Sequence, residues 1–73
     1  MEDEAVLKWV GKKIRQGRLQ KNISLQALAT LCEMDKANLS RIEAGKTNIT
    51  LTTLNKIAQK LYGGLSSMFC EEA

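Results

Sequence analysis

Apolar residues recur at helical spacing along nearly the whole of this chain. Val6, Val10, Ile14 and Gly17 follow one another at four, four and three residues, with lysines and arginines on the opposite face. The pattern predicts a first helix with Glu2, Asp3 and Glu4 at its start, where acids complement the helix dipole, and Lys21 near its end. Asn22 is a left-handed terminator for it. Three further helix starts share one device, a hydrophobic staple around an N-cap residue: Ile23-Ser24 with Leu28, Met34-Asp35 with Leu39, and Ile49-Thr50 with Leu54. These place helix starts near residues 25, 36 and 51. The second helix then carries Leu25, Leu28, Ala29 and Cys32 on one face. The third carries Leu39 and Ile42 and stops at Gly45. The fourth carries Leu51, Leu54, Ile57, Ala58 and Leu61 and stops at Gly63-Gly64, and a short fifth runs from Leu65 through Phe69. Residues 48–53 also alternate as an edge strand would, but the spacing through Leu61 favours helix beyond Thr50. Trp9 lies off the main stripe, where it either meets a partner or covers the edge of the core.

Seventy-three residues allow one compact core and no second domain. Apolar residues at 44%, charged residues at 26% and the absence of proline suit a globular domain rather than a disordered segment. No apolar run approaches a membrane span, and the acidic start is unlike a signal peptide, so the expected location is the cytoplasm. With no histidine, Ser-His-Asp and Cys-His catalysis are excluded, and Cys32 and Cys70 alone cannot hold zinc. Neither familiar glycine-rich phosphate loop is present, and neither an enzyme nor a cofactor is expected. A Cys32–Cys70 disulfide needs an oxidising compartment. Cys32, on an apolar stripe, reads better as a buried thiol. The formal charge is only +3, but five of the eight acids lie in residues 1–4 and 71–73. Between residues 5 and 70 only Glu33, Asp35 and Glu43 oppose eleven basic residues, a balance of roughly +8 that suits a polyanion or, equally, a solvated surface.

The second and third helices are short and separated by a few residues, the outline of a helix-turn-helix over about residues 25–44. Leu39 and Ile42 turn the outer face of the third helix toward Lys36, Ala37, Asn38, Ser40 and Arg41. Lysine and arginine donate to guanine, asparagine pairs with adenine and alanine meets a thymine methyl, so this face suits a DNA major groove.

On these residues the chain resembles the lambda-repressor/Cro-like (XRE) helix-turn-helix family. The likeness is carried by Ser24-Leu25-Gln26-Ala27-Leu28-Ala29 and by Asn38 through Lys46 with its Ser-x-x-Glu-x-Gly element. Ile14, Arg15 and Arg18 upstream, and Leu54, Ile57, Ala58, Leu61, Leu65 and Phe69 downstream, extend it over about residues 10–69. The resemblance implies an all-α, compact five-helix domain over residues 5–70, flanked by acidic tails at 1–4 and 71–73. It also implies binding of operator DNA, as a transcriptional regulator of bacterial or phage type. Carried over position by position, Lys36, Ala37, Ser40 and Arg41 read base edges. Asn38, Lys46, Thr47 and Asn48 hold the phosphate backbone, and Arg18 pairs with Glu43 between helices.

Several positions depart from the family pattern. Leu25 stands where a phosphate-contacting glutamine is common, with Gln26 beside it as a substitute contact. Glu33 replaces a turn glycine and must accept a positive φ. Ile49 replaces a proline and Gly63 a valine or isoleucine. Gly17 replaces a leucine and leaves room for Trp9 or another bulky neighbour. A domain of this size looks like the controller proteins of restriction–modification systems or like Cro-type repressors. The implied partner is a near-palindromic DNA duplex bound by a homodimer, with its half-sites about one turn, or roughly 34 Å, apart. Dimer contacts are then expected from the fourth and fifth helices, where Leu65, Met68 and Phe69 serve as contacts or as core. The competing expectation is an antitoxin or coactivator-like module on the same fold, whose chief target is a partner protein.

Overall fold

The computed structural model describes residues 2–70. Its helices are α1 (Asp3–Gln20), α2 (Leu25–Leu31), α3 (Lys36–Glu43), α4 (Leu51–Tyr62) and α5 (Leu65–Met68). The described residues contain no strand, so the alternation at residues 48–53 yields to the helical period of α4. Asp3 and Glu4 form the first turn of α1, where they face its positive dipole end as the pattern predicts, so α1 reaches back into the segment also read as an acidic tail. Residues 71–73 of the other expected tail lie outside the described residues. No described helix is long and apolar enough to cross a membrane.

The predicted starts of α2, α3 and α4 coincide with those observed, and two of the three caps form as expected. Ser24 Oγ accepts from the Ala27 N–H at 3.0 Å and Thr50 Oγ1 from the Thr53 N–H at 3.2 Å. Asp35 differs, because its side chain makes no capping bond. The first bond of α3 is the backbone one, Leu39 N–H to the Asp35 carbonyl at 3.0 Å.

Three helix ends share one solution. Past α1, α2 and α3, an N–H reaches back five residues: Ile23 to Arg18, Met34 to Ala29 and Lys46 to Arg41. Each such turn needs a residue at positive φ, and these are Asn22 at 59°, Glu33 at 55° and Gly45 at 73°. Glu33 therefore does take the left-handed conformation that its position demands.

The helices close around Val10, Ile14, Leu28, Ala29, Cys32, Leu39, Ile42, Leu54, Ile57, Ala58, Leu61 and Met68. Ile14, Leu28, Leu39, Ile57 and Met68 are fully enclosed, and each such side chain contributes about 1.5–3 kcal/mol. No buried polar side chain lacks a partner among the described residues. Cys32 is a free, buried thiol whose pKa burial raises, while Cys70 is free and exposed. Two predicted core positions are corrected. Val6, 38% exposed, lies in the N-terminal part of α1, ahead of the buried stripe that begins at Val10. Leu51, 69% exposed, occupies the free first turn of α4.

α1 packs on α3 and α4, α2 on α3 and α4, and α5 on α4. The α1–α3 approach is unusually close. A Cβ on Gly11 would lie 2.5 Å from the carbonyl oxygens of Ile42 and Glu43. About two turns on, Arg18 closes a fork on Glu43, with Nε to Oε2 at 2.8 Å and Nη2 to Oε1 at 3.0 Å. Its Nη1 donates to the Ile23 carbonyl at 3.2 Å, so one guanidinium joins α1, α3 and the turn before α2. The hydrogen bond that Arg18 donates to Glu43 is the largest influence on its pKa, raising it against a lowering by burial.

On its other flank α1 meets the C-terminal helices. The bulky neighbour admitted by Gly17 is Tyr62, whose ring would lie 2.8 Å from a Cβ there and whose hydroxyl donates to the Lys13 carbonyl at 2.6 Å. Trp9 stacks on Phe69 at 5.4 Å between centroids and covers the edge of the core.

Two stability outcomes follow. Gly11→Ala should cost about 1–3 kcal/mol in urea denaturation through overpacking. Alanine is the better helix former by about 1 kcal/mol, so a stabilised variant would show that α1 and α3 can part freely. A double-mutant cycle on Arg18 and Glu43, measured the same way, should give a coupling of about 1–2 kcal/mol, and a value near zero would reduce the fork to a surface pair.

Candidate nucleic-acid interface

α3 is held to the core by two apolar residues three positions apart, Leu39 and Ile42, both buried. That fixes the rotation of the helix about its axis. Lys36 and Ser40 are four residues apart, as are Ala37 and Arg41, so these pairs lie on neighbouring strips of the same outer surface. All four are exposed. Asn38, at the side of the helix, is half-buried. Glu43, the carboxylate at the end of α3, is turned away and held by Arg18. The outward face therefore carries two cations, a hydroxyl and a methyl. A helix is about 10–12 Å across with its side chains, which fits the roughly 12 Å width of a DNA major groove.

The turn after α3 supplies the second part of the surface. Gly45 at φ 73° reverses the chain, and Lys46, Thr47 and Asn48 follow before the Thr50 cap of α4. Lys46 and Asn48 are exposed and Thr47 half-buried. Their backbone amides and side chains can donate to phosphate oxygens, as loops beside a groove-bound helix do.

The third part, on α2, is less open. Leu25 packs against the core, which accounts for an apolar residue at that position. Gln26 is exposed, but its Nε2 donates to Thr30 Oγ1 at 3.3 Å along the helix, and that bond must open for Gln26 to reach a phosphate. The α2–α3 turn holds the acids Glu33 and Asp35, both exposed, so within the helix-turn-helix the positive charge lies on α3 and the loop behind it.

Tertiary packing brings one unexpected residue to this surface. Lys8 of α1 lies against Gly45, and a Cβ on that glycine would be 2.7 Å from Lys8 Cγ and 2.8 Å from its Cα. The sequence signal that could have singled Lys8 out is its spacing with Lys12 and Arg15, four and then three residues on. Among the described residues no cluster of histidine, cysteine or carboxylate side chains could hold a metal ion.

Comparison with known proteins agrees with this geometry. A family model described as helix-turn-helix matches residues 14–61, from the buried Ile14 of α1 to the buried Leu61 of α4. The chain is 40% identical over 52 residues to the control protein C.BamHI of Bacillus amyloliquefaciens, a stretch covering 70% of this chain and 64% of that protein. The chain thus spans a little under two thirds of that relative's length. Its fold is similar to the crystal structure of the restriction-modification controller protein C.AhdI from Aeromonas hydrophila. That similarity has a TM-score of 0.85 and 28% identity, and covers 94% of this chain and all of the other. With the motif, the five-helix frame and the family match in agreement, this chain belongs to the helix-turn-helix family.

Proposed function

We propose that this protein is a sequence-specific, non-enzymatic DNA-binding regulator of transcription, acting like the control proteins to which it is similar. One observation carries the reading. α3 presents Lys36, Ala37, Ser40 and Arg41 to solvent on a helix whose only late carboxylate is already satisfied by Arg18. In this reading α3 lies in the major groove. Arg41 and Lys36 donate to base edges, Ser40 hydrogen-bonds beside them, and Ala37 meets a thymine methyl. Asn38, Lys46, Thr47 and Asn48 hold phosphates on either side, with Gln26 joining once its bond to Thr30 opens. The base contacts choose the sequence and the phosphate contacts set the register.

Binding as a homodimer to a near-palindromic site completes the proposal, because one eight-residue helix reads only a few base pairs. The residues proposed for the dimer contact change from those expected. Met68 is fully buried and belongs to the core, and Phe69 is engaged by Trp9. Leu51 at the start of α4 is the large apolar side chain most available to a second copy, and Leu65 on α5 is only half-buried. Action inside a bacterial or phage-infected cell follows from the proposed role. A protein-binding module of the antitoxin or coactivator kind is the outcome if duplex binding fails even at low salt.

The proposal is tested by binding titrations on selected and random duplexes across a salt series. Affinity should fall steeply with salt, log K dropping by about 0.9 per phosphate neutralised for each decade. Arg41→Ala should weaken cognate binding by about 1–3 kcal/mol and relax preference at one base position. Lys46→Ala should weaken cognate and random binding alike. Indistinguishable behaviour of the two variants would overturn this division of roles. Leu51→Glu should weaken self-association at least tenfold in sedimentation equilibrium while leaving the melting temperature of the monomer nearly unchanged, since the side chain is exposed. An unaltered association constant would move the dimer contact elsewhere.

A further inference from the structure

α1 carries a row of exposed cations, of which only Lys8 reaches the surface described above. Lys8, Lys12 and Arg15 follow one another at four and three residues and so share one helix face. None of the three has a side-chain hydrogen bond or ion pair within the described residues, where the Arg18–Glu43 fork is the one ion pair. Glu4, one turn before Lys8, is not within ion-pair distance of it.

The setting of α1 determines where this row points. Gly11 and Arg18 face the end of α3. Trp9 and Lys13 lie on the opposite flank, against Phe69 and Tyr62, with the Lys13 ammonium 5.9 Å from the Trp9 ring and 5.8 Å from the Tyr62 ring. With both flanks occupied, Lys8, Lys12 and Arg15 are left on the outer surface of α1, beside the C-terminal end of α3. Lys8 touches Gly45, and the next three residues are the loop 46–48. The cation row is therefore continuous with that loop. A lysine beside a helix C-terminus also complements the dipole of that helix, but this accounts for one cation and not for three.

We propose that Lys8, Lys12 and Arg15 form a phosphate-binding strip. It extends the footprint of the 46–48 loop along the DNA backbone, outside the base pairs read by α3. The strip rests on the DNA-binding reading above and adds α1 to the elements that touch the duplex. It supplies affinity and salt dependence without sequence preference.

The test uses the whole chain, a long random-sequence duplex and fluorescence anisotropy over a salt series. The wild type is compared with a K8Q/K12Q/R15Q variant and with a K21Q/K56Q/K60Q variant. The second removes the same formal charge at other exposed positions. Melting curves that match the wild type establish that both variants fold. The strip variant should lose about two units of the slope of log K against log salt, the equivalent of two phosphate contacts, while the control keeps nearly the wild-type slope. A wild-type slope in the strip variant would overturn the strip and leave the DNA reading intact. Equal losses in both variants would reduce the effect to overall charge and also overturn it. Absence of duplex binding by the wild type at low salt would remove the DNA reading itself, and the strip with it.

Discussion

The close crossing of α1 over the end of α3 is the constraint on which the other features depend. Backbone meets backbone there, with the Ile42 and Glu43 carbonyl oxygens where a Cβ on Gly11 would stand. Glycine in a helix interior costs about 1 kcal/mol of helix stability, so its presence in α1 calls for a compensating contact. The crossing provides one. It brings α1 near enough for Arg18 to reach both oxygens of Glu43, and near enough for Lys8 to lie on Gly45. A larger residue at 11 would lift α1 away, lengthen the fork and detach the loop after α3 from its support.

The fork has two consequences for the proposed interface. It removes a negative charge from the end of a helix meant to approach a polyanion. It also fixes the angle of α3 relative to the rest of the domain, because one guanidinium holds α1, α3 and the Ile23 carbonyl together. Apolar packing at Leu39 and Ile42 sets which face of α3 points outward, but packing is non-directional and tolerates small rotations. Paired charge-assisted bonds do not. The base-reading side chains thus sit on a helix whose rotation and tilt are set by different forces. Neither force uses the residues that would touch DNA.

The C-terminal helix is anchored differently. α5 is a single turn, too short to be stable alone, and Gly63 and Gly64 at positive φ give the chain its sharp entry to it. Met68 is fully enclosed by the core and Phe69 lies flat on Trp9. Together these contacts turn a four-residue helix into a fixed part of the fold. They also spend most of the apolar surface that α5 could otherwise offer to a second copy.

Much of this protein was legible in its sequence, because the information was local. Helix starts near residues 25, 36 and 51 follow from capping and staple patterns, and the ends of α1 and α3 from Asn22 and Gly45, whereas the left-handed turn at Glu33 was implied only by the family resemblance. The apolar period alone placed Lys36, Ala37, Ser40 and Arg41 on the outer face of α3. Other assignments needed the tertiary structure, because spacing within a helix does not say what stands opposite. Val6 and Leu51 continue apolar stripes yet remain exposed, since no neighbour covers those turns. Met68 is enclosed for the opposite reason. The neighbour of Gly17 is Tyr62, forty-five positions away in the chain, and Lys8 joins the loop at Gly45 only through the α1–α3 crossing. Local hydrogen bonding and periodicity therefore fixed the elements and their faces. Which faces meet, and which cations are left at the proposed interface, was decided by how closely two backbones could approach.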